Sequence, residues 1–232
     1  LLLEGDEKIF QKLGEFLLLE MKQAQVFIGI RGSGNAFELS DVPHEKMDLY
    51  DKYIGRPVHM EQRVKHTRWC VLRYPNPAMC QLAKQSTESF QRFYYDVCCL
   101  DYSKMDKAAQ PLKELMNKTD RVRIVAPETD LTFSIKDIPA VPCSGEMNIP
   151  DGECFTAPVR ESVNGTIRFN ASSVHEGILY NYAKVTFRDG KAVEMESGAN
   201  SERLRKVLTA DEGSSYFGEF ALGYNPYILE PM

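Results

Sequence analysis

Gln25-Val26-Phe27-Ile28-Gly29-Ile30 is an apolar run that ends in the turn Arg31-Gly32-Ser33-Gly34-Asn35. It reads as a buried strand. On its N-terminal side, Ile9, Phe10, Leu13, Phe16, Leu17 and Met21 recur at helical spacing between Glu7 and Met21. On its C-terminal side, Lys65 to Tyr74 contains a second strand, stopped by Pro75 and Pro77. Ser86-Thr87-Glu88-Ser89 then starts a helix through Phe90, Phe93, Tyr94, Val97 and Leu100. A further helix follows Lys104, through Leu112, Leu115 and Met116. Strands alternating with helices predict an α/β layer with a parallel sheet.

Beyond residue 118 the pattern changes. Arg121-Val122-Arg123-Ile124-Val125 alternates, Ala126-Pro127-Glu128-Thr129 turns the chain, and Asp130 to Ile135 alternates again, as a hairpin would. Thr166-Ile167-Arg168-Phe169 is a short strand. Arg188-Asp189-Gly190-Lys191 lies between Lys184-Val185-Thr186-Phe187 and Ala192-Val193-Glu194-Met195, and Asp-Gly between alternating runs marks a tight hairpin. A helix runs from Ser201 through Leu208. The fold class is therefore α/β. An α/β layered N-terminal domain portion (1–117) precedes a strand-rich α+β portion (118–232), with the boundary near Met116 to Asp120.

The 232 residues can bury a sizeable core. A net charge of −5 gives no sign of a nucleic-acid or anionic-membrane partner. No apolar run approaches the roughly 18–20 residues needed to span a bilayer. The six cysteines have no Cys-x-x-Cys spacing and read as thiols of a reducing compartment. The chain opens on Leu1-Leu2-Leu3-Glu4 without an initiator Met, and it is expected to be trimmed at its start.

Two acidic residues stand out. Glu153 follows Pro150-Asp151-Gly152 and enters the run Cys154-Phe155-Thr156-Ala157-Pro158. Glu219 lies within Tyr216-Phe217-Gly218-Glu219-Phe220-Ala221-Leu222-Gly223. A carboxylate in apolar surroundings needs a partner. A divalent ion is one such partner, and a buried salt bridge to arginine is the common alternative. Asp130, Asp151 and Asp189 sit at turns, where aspartate bonds the backbone. His44, His59, His66 and His175 form no zinc motif. Gly32-Ser33-Gly34 lacks the third glycine of a dinucleotide fingerprint, since Phe37 stands there, and reads as a plain turn. Cys154 with His175 is the available thiol-protease pair, but no cation beside Cys154 would lower its pKa, so it reads as core packing.

Longer stretches carry a resemblance. They are Thr67 to Pro75, Phe93 to Cys98, Asp101 to Met105, Thr119 to Ile124, Thr129 to Ile135 and Asn148 to Glu153. Thr156-Ala157-Pro158, Ser162 to Gly165, Gly218 to Gly223 and Asn225-Pro226 follow. Together they resemble the aminopeptidase T and aminopeptidase S metallopeptidases, the PepS-type or thermophilic aminopeptidases.

That resemblance implies a metal-dependent aminopeptidase releasing N-terminal residues from peptides. It implies a cluster of two divalent ions (cobalt, zinc or magnesium), with Glu153 and Glu219 as two of the metal ligands. The family's other ligands, two histidines, a tyrosine and an aspartate, lie downstream of the segment matched by Gly218 to Pro226. The chain is thus expected to be a fragment of a longer protein that lacks most metal ligands and is inactive alone. No general base is singled out. Peptide substrates, a homodimer and a cytoplasmic location are the family's expectation. The competing reading is a non-catalytic binding or oligomerisation module on the same scaffold.

Overall fold

The computed structural model describes residues 1–175 and 177–229. They form two compact units, one of residues 1–95 with 146–150 and one of residues 96–145 with 151–175 and 177–229. The compositional change near residue 118 and this division fall at different places, because the helix before residue 118 belongs by its contacts to the second unit.

In the first unit, α1 (Glu7–Gln23) starts at Asp6, whose carboxylate accepts the Ile9 N–H at 2.9 Å. Then β1 (Val26–Arg31) leads to a long helical stretch. This stretch consists of α2 (His44–Tyr50), a wider π-helical segment (Asp51–Arg63) and α3 (Val64–His66). Next come β2 (Arg68–Arg73), α4 (Pro77–Leu82) and α5 (Thr87–Cys98), within which the division between the units falls. The Ser86 hydroxyl accepts the Ser89 N–H at the start of α5, as the sequence predicts. Phe10 and Met21 of α1 bury against Ile54 and Val58 of the π-helical segment, with Leu13, Leu17, Phe27 and Tyr53 around them.

The unit's sheet has the order β1-β2-β6, where β6 is Asn148–Ile149, and all its pairs are parallel. One expectation is corrected here. The run from Gln25 to Ile30 reads as a buried strand, but only the Phe27 side is covered. Val26, Ile28 and Ile30 are exposed, because the helices of this unit lie against the Phe27 face.

In the second unit, α6 (Tyr102–Lys118) precedes the hairpin of β3 (Arg121–Ala126) and β4 (Thr129–Ser134). Alternate residues of β4 are buried, which is the half-buried strand that its sequence predicts. The strands β5 (Val141–Cys143), β7 (Glu153–Thr156) and β13 (Phe220–Gly223) form a small antiparallel sheet in the order β13-β7-β5. A five-stranded antiparallel sheet has the order β12-β11-β8-β4-β3, with β8 (Asn164–Phe169), β11 (Ala183–Arg188) and β12 (Lys191–Glu196). A short pair, β9 (Ser173–His175) with β10 (Ile178–Tyr180), and helix α7 (Ser201–Leu208) complete the unit.

The Asp-Gly hairpin joins β11 to β12, with Asp189 and Gly190 at φ +49° and +83°. Both lie in the left-handed region that a primed turn requires. A Cβ on Gly190 would lie 1.9 Å from the Arg160 carbonyl oxygen, so the turn also needs the missing side chain. The core of this unit gathers Met116, Leu131, Phe133, Cys154, Val163, Val185, Phe187 and Met195.

Candidate metal centre

Glu153 is the first residue of β7, and its position is set by the turn before it. The Asp151 carboxylate accepts the N–H groups of Gly145 and Gly152 at 2.8 and 2.9 Å. This is the backbone role that its place at a turn predicts. The Asp151 N–H donates to the Tyr102 hydroxyl at 3.1 Å, and its carbonyl accepts the Asn225 amide at 2.8 Å. The Gly152 carbonyl accepts the Tyr224 N–H at 2.8 Å. Gly152 itself has φ +129°, and a Cβ there would lie 2.6 Å from the Asn225 Cβ and 2.7 Å from the Met105 Cε. The turn is therefore clamped by α6 on one side and by the residues after β13 on the other.

Glu219 stands immediately before β13, between two anchored rings. Phe217 stacks on Phe133 at 6.0 Å between centroids and meets Phe187 edge-on at 5.4 Å. Phe220 meets Phe133 edge-on at 5.1 Å. Such pairs add about 0.5–1.5 kcal/mol each beyond their buried area. They fix the backbone on both sides of Glu219 while its side chain stays exposed.

The two glutamates share one strand pair. Glu153 pairs with Gly223 and Thr156 with Phe220 in antiparallel register. Extending that register by one residue sets Glu219 across from Ala157. Ala157 is four residues along from Glu153. The even spacing directs both side chains to one face of the sheet. Their charges interact. Burial raises the Glu153 pKa first, and Glu219 and then Asp151 push it further up.

Among the described residues no hydrogen bond or ion pair reaches the carboxylate of Glu153 or of Glu219. The salt bridge to arginine therefore has no counterpart there. A half-buried carboxylate with two acidic neighbours and no cation is a fitting oxygen donor for a divalent ion. The donor set is partial. Among the described residues no group of three or more His, Cys, Asp or Glu side chains is arranged to hold a metal.

Residues 4–229 match the thermophilic metalloprotease (M29) family. The chain belongs to that family. Aminopeptidase T of Thermus aquaticus is 40% identical to this M29 chain over 75 residues, which is 32% of the chain and 18% of that protein. Aminopeptidase PepS of Streptococcus thermophilus is 24% identical over 242 residues, covering 88% of the chain and 56% of that protein. The fold is that of wild-type AmpT from Thermus thermophilus, with a TM-score of 0.78 at 22% identity. That likeness covers 95% of this chain and 62% of AmpT. The M29 chain thus spans between 18% and 62% of the length of these relatives.

Other residues singled out from the sequence take no part in this centre. Cys154 is fully buried in the core of the second unit, and burial pushes its thiol pKa up, the reverse of thiolate activation. His175 lies on β9. The Ser33 hydroxyl donates to the Asn35 carbonyl at 2.9 Å, a bond internal to the turn. The clamp residues Tyr102, Tyr224 and Asn225 carry no chemical signal in the sequence. Tyr102 and Asn225 do fall within the stretches that carry the family resemblance.

Proposed function

We propose that this chain carries part of the metal centre of an aminopeptidase that releases N-terminal residues from peptides. Glu153 and Glu219 are two of the ligands of a pair of divalent ions, cobalt, zinc or magnesium. The remaining donors come from the part of the relatives' length that these residues do not span. The observation that carries this reading is the Glu153 carboxylate, half-buried beside Glu219 and without a cation among the described residues. Held by these carboxylates, divalent ions would supply Lewis acidity toward a peptide carbonyl and would lower the pKa of a bound water to about 7.

The protein's own part is positional. Glu153 offers its oxygens from the clamped turn at the start of β7, and Glu219 offers its own from between Phe217 and Phe220. Tyr102 and Asn225 hold the turn, so they orient Glu153. Membership of a metalloprotease family supports the peptidase over a non-catalytic module. A cytoplasmic homodimer fits the family resemblance. No helix among the described residues is long and apolar enough to cross a membrane.

The test is metal content and turnover of an N-terminal leucine anilide by the full-length protein. Glu153→Gln and Glu219→Gln are each expected to lower metal occupancy and turnover by about tenfold or more. Unchanged metal content in both variants would overturn the assignment.

A further inference from the structure

The groove between β1 and the π-helical segment holds a cation without a counter-ion. Arg63 is only 7% exposed, and its guanidinium lies 4.7 Å from the Trp69 ring and 5.4 Å from the Phe27 ring. Its Nε is buried without an acceptor, and no hydrogen bond or ion pair reaches the side chain among the described residues. The ring faces offset part of the cost of burying that charge. An anion would offset more.

Two further basic groups face the same space. Arg31, at the C-terminal end of β1, and His59, one turn before Arg63, line a cavity of about 520 Å³ together with Arg63. Burial, then Arg63 and Arg31, push the His59 pKa down. Burial, then Arg31, lower that of Arg63. The acid on the lining, Asp51, is exposed and lies 3.9 Å from Arg56. The other walls include Phe27, Met60 and Val71. The end of a parallel strand is also where open α/β sheets place their ligands.

We propose that this groove binds a small organic carboxylate, its charge against Arg63 and Arg31 and its apolar body along Phe27, Met60 and Val71. The guanidinium fork matches a carboxylate in two parallel hydrogen bonds. The cavity lies in the size range of small-molecule sites, larger than a bare inorganic anion needs. The site lies wholly in the first unit and does not rest on the metal-centre reading.

Calorimetric titration of the chelator-treated full-length protein tests it, with 4-methylpentanoate, its neutral amide and inorganic phosphate as probes. Saturable binding of the carboxylate is expected. The amide, and the carboxylate on Arg63→Met, should bind roughly tenfold to a hundredfold more weakly. Arg31→Gln alters an exposed side chain and should keep the fold while weakening the carboxylate several-fold. It decides the matter even where Arg63→Met does not fold. No saturable binding, equal binding of acid and amide, tighter binding of phosphate, or an Arg31→Gln protein with unchanged affinity would each overturn the proposal.

Discussion

Glu153 sits where ionisation is disfavoured by burial and by the charges of Glu219 and Asp151. This ties its charge to stability. Below the ordinary glutamate range the carboxyl is protonated in both folded and unfolded chains and has no effect. As pH rises from that range through the raised folded value, the unfolded chain ionises first. The folded state then loses stability, and the loss is complete above the folded pKa. In chelator-treated protein, Glu153→Gln should therefore raise the melting temperature at neutral pH. The gain should fade in acid, below the ordinary glutamate range. With divalent metal restored, the proposed metal role of Glu153 has the wild type gain more than the variant, because its carboxylate would then have a cation. Thermal melts across pH, with and without chelator, check this. A variant that is less stable at neutral pH without metal would show that Glu153 has a favourable partner already.

Among the elements, the packing of α1 on the π-helical segment depends on one glycine. Gly14 is buried in the middle of α1, where alanine would ordinarily add about 0.5–1 kcal/mol. Here a Cβ would lie 2.1 Å from the Tyr53 carbonyl oxygen, a backbone atom that cannot swing away. Overpacking of this kind costs about 1–3 kcal/mol, which outweighs the propensity gain. Gly14→Ala should therefore lower stability by about 1–2 kcal/mol in urea unfolding. A stabilised variant would mean that the two helices can part without loss. The amphipathic α1, the β3–β4 hairpin and the Asp-Gly hairpin were legible because each writes its period or turn into adjacent residues. The stretch from His44 to His66 was not. Gly55 and Pro57 interrupt it, and its wide helical turns blur the usual spacing. The strands β5, β6, β7 and β13 have two to four residues each, too few to show alternation. The centre divides in the same way. Glu153 and Glu219 stood out as charges in apolar runs. The clamp that aims Glu153 did not, since Asn225 meets Asp151 across 74 residues and only folding brings them together.

On the whole molecule, the largest departure from that reading is an apolar surface. Val26, Ile28 and Ile30 are 54%, 65% and 63% exposed on one face of β1, an edge strand among the described residues. Three adjacent apolar side chains on one face of an edge strand make a surface that favours association. A net charge of −5 spread over 232 residues opposes association only weakly. The 232-residue polypeptide should therefore associate with itself as its concentration rises. Ile28 is the middle residue of the three, paired with Cys70 of β2. Ile28→Lys places a charge at the centre of the face and leaves the Phe27 side, with its helices, unchanged. Sedimentation velocity should show that variant shifted toward the smaller species, with the circular dichroism of the wild type. Raised salt should restore part of the association, because the added charge is then screened. If the wild type stays one species at all concentrations, or Ile28→Lys associates equally, the β1 face is not the surface through which copies of this chain meet.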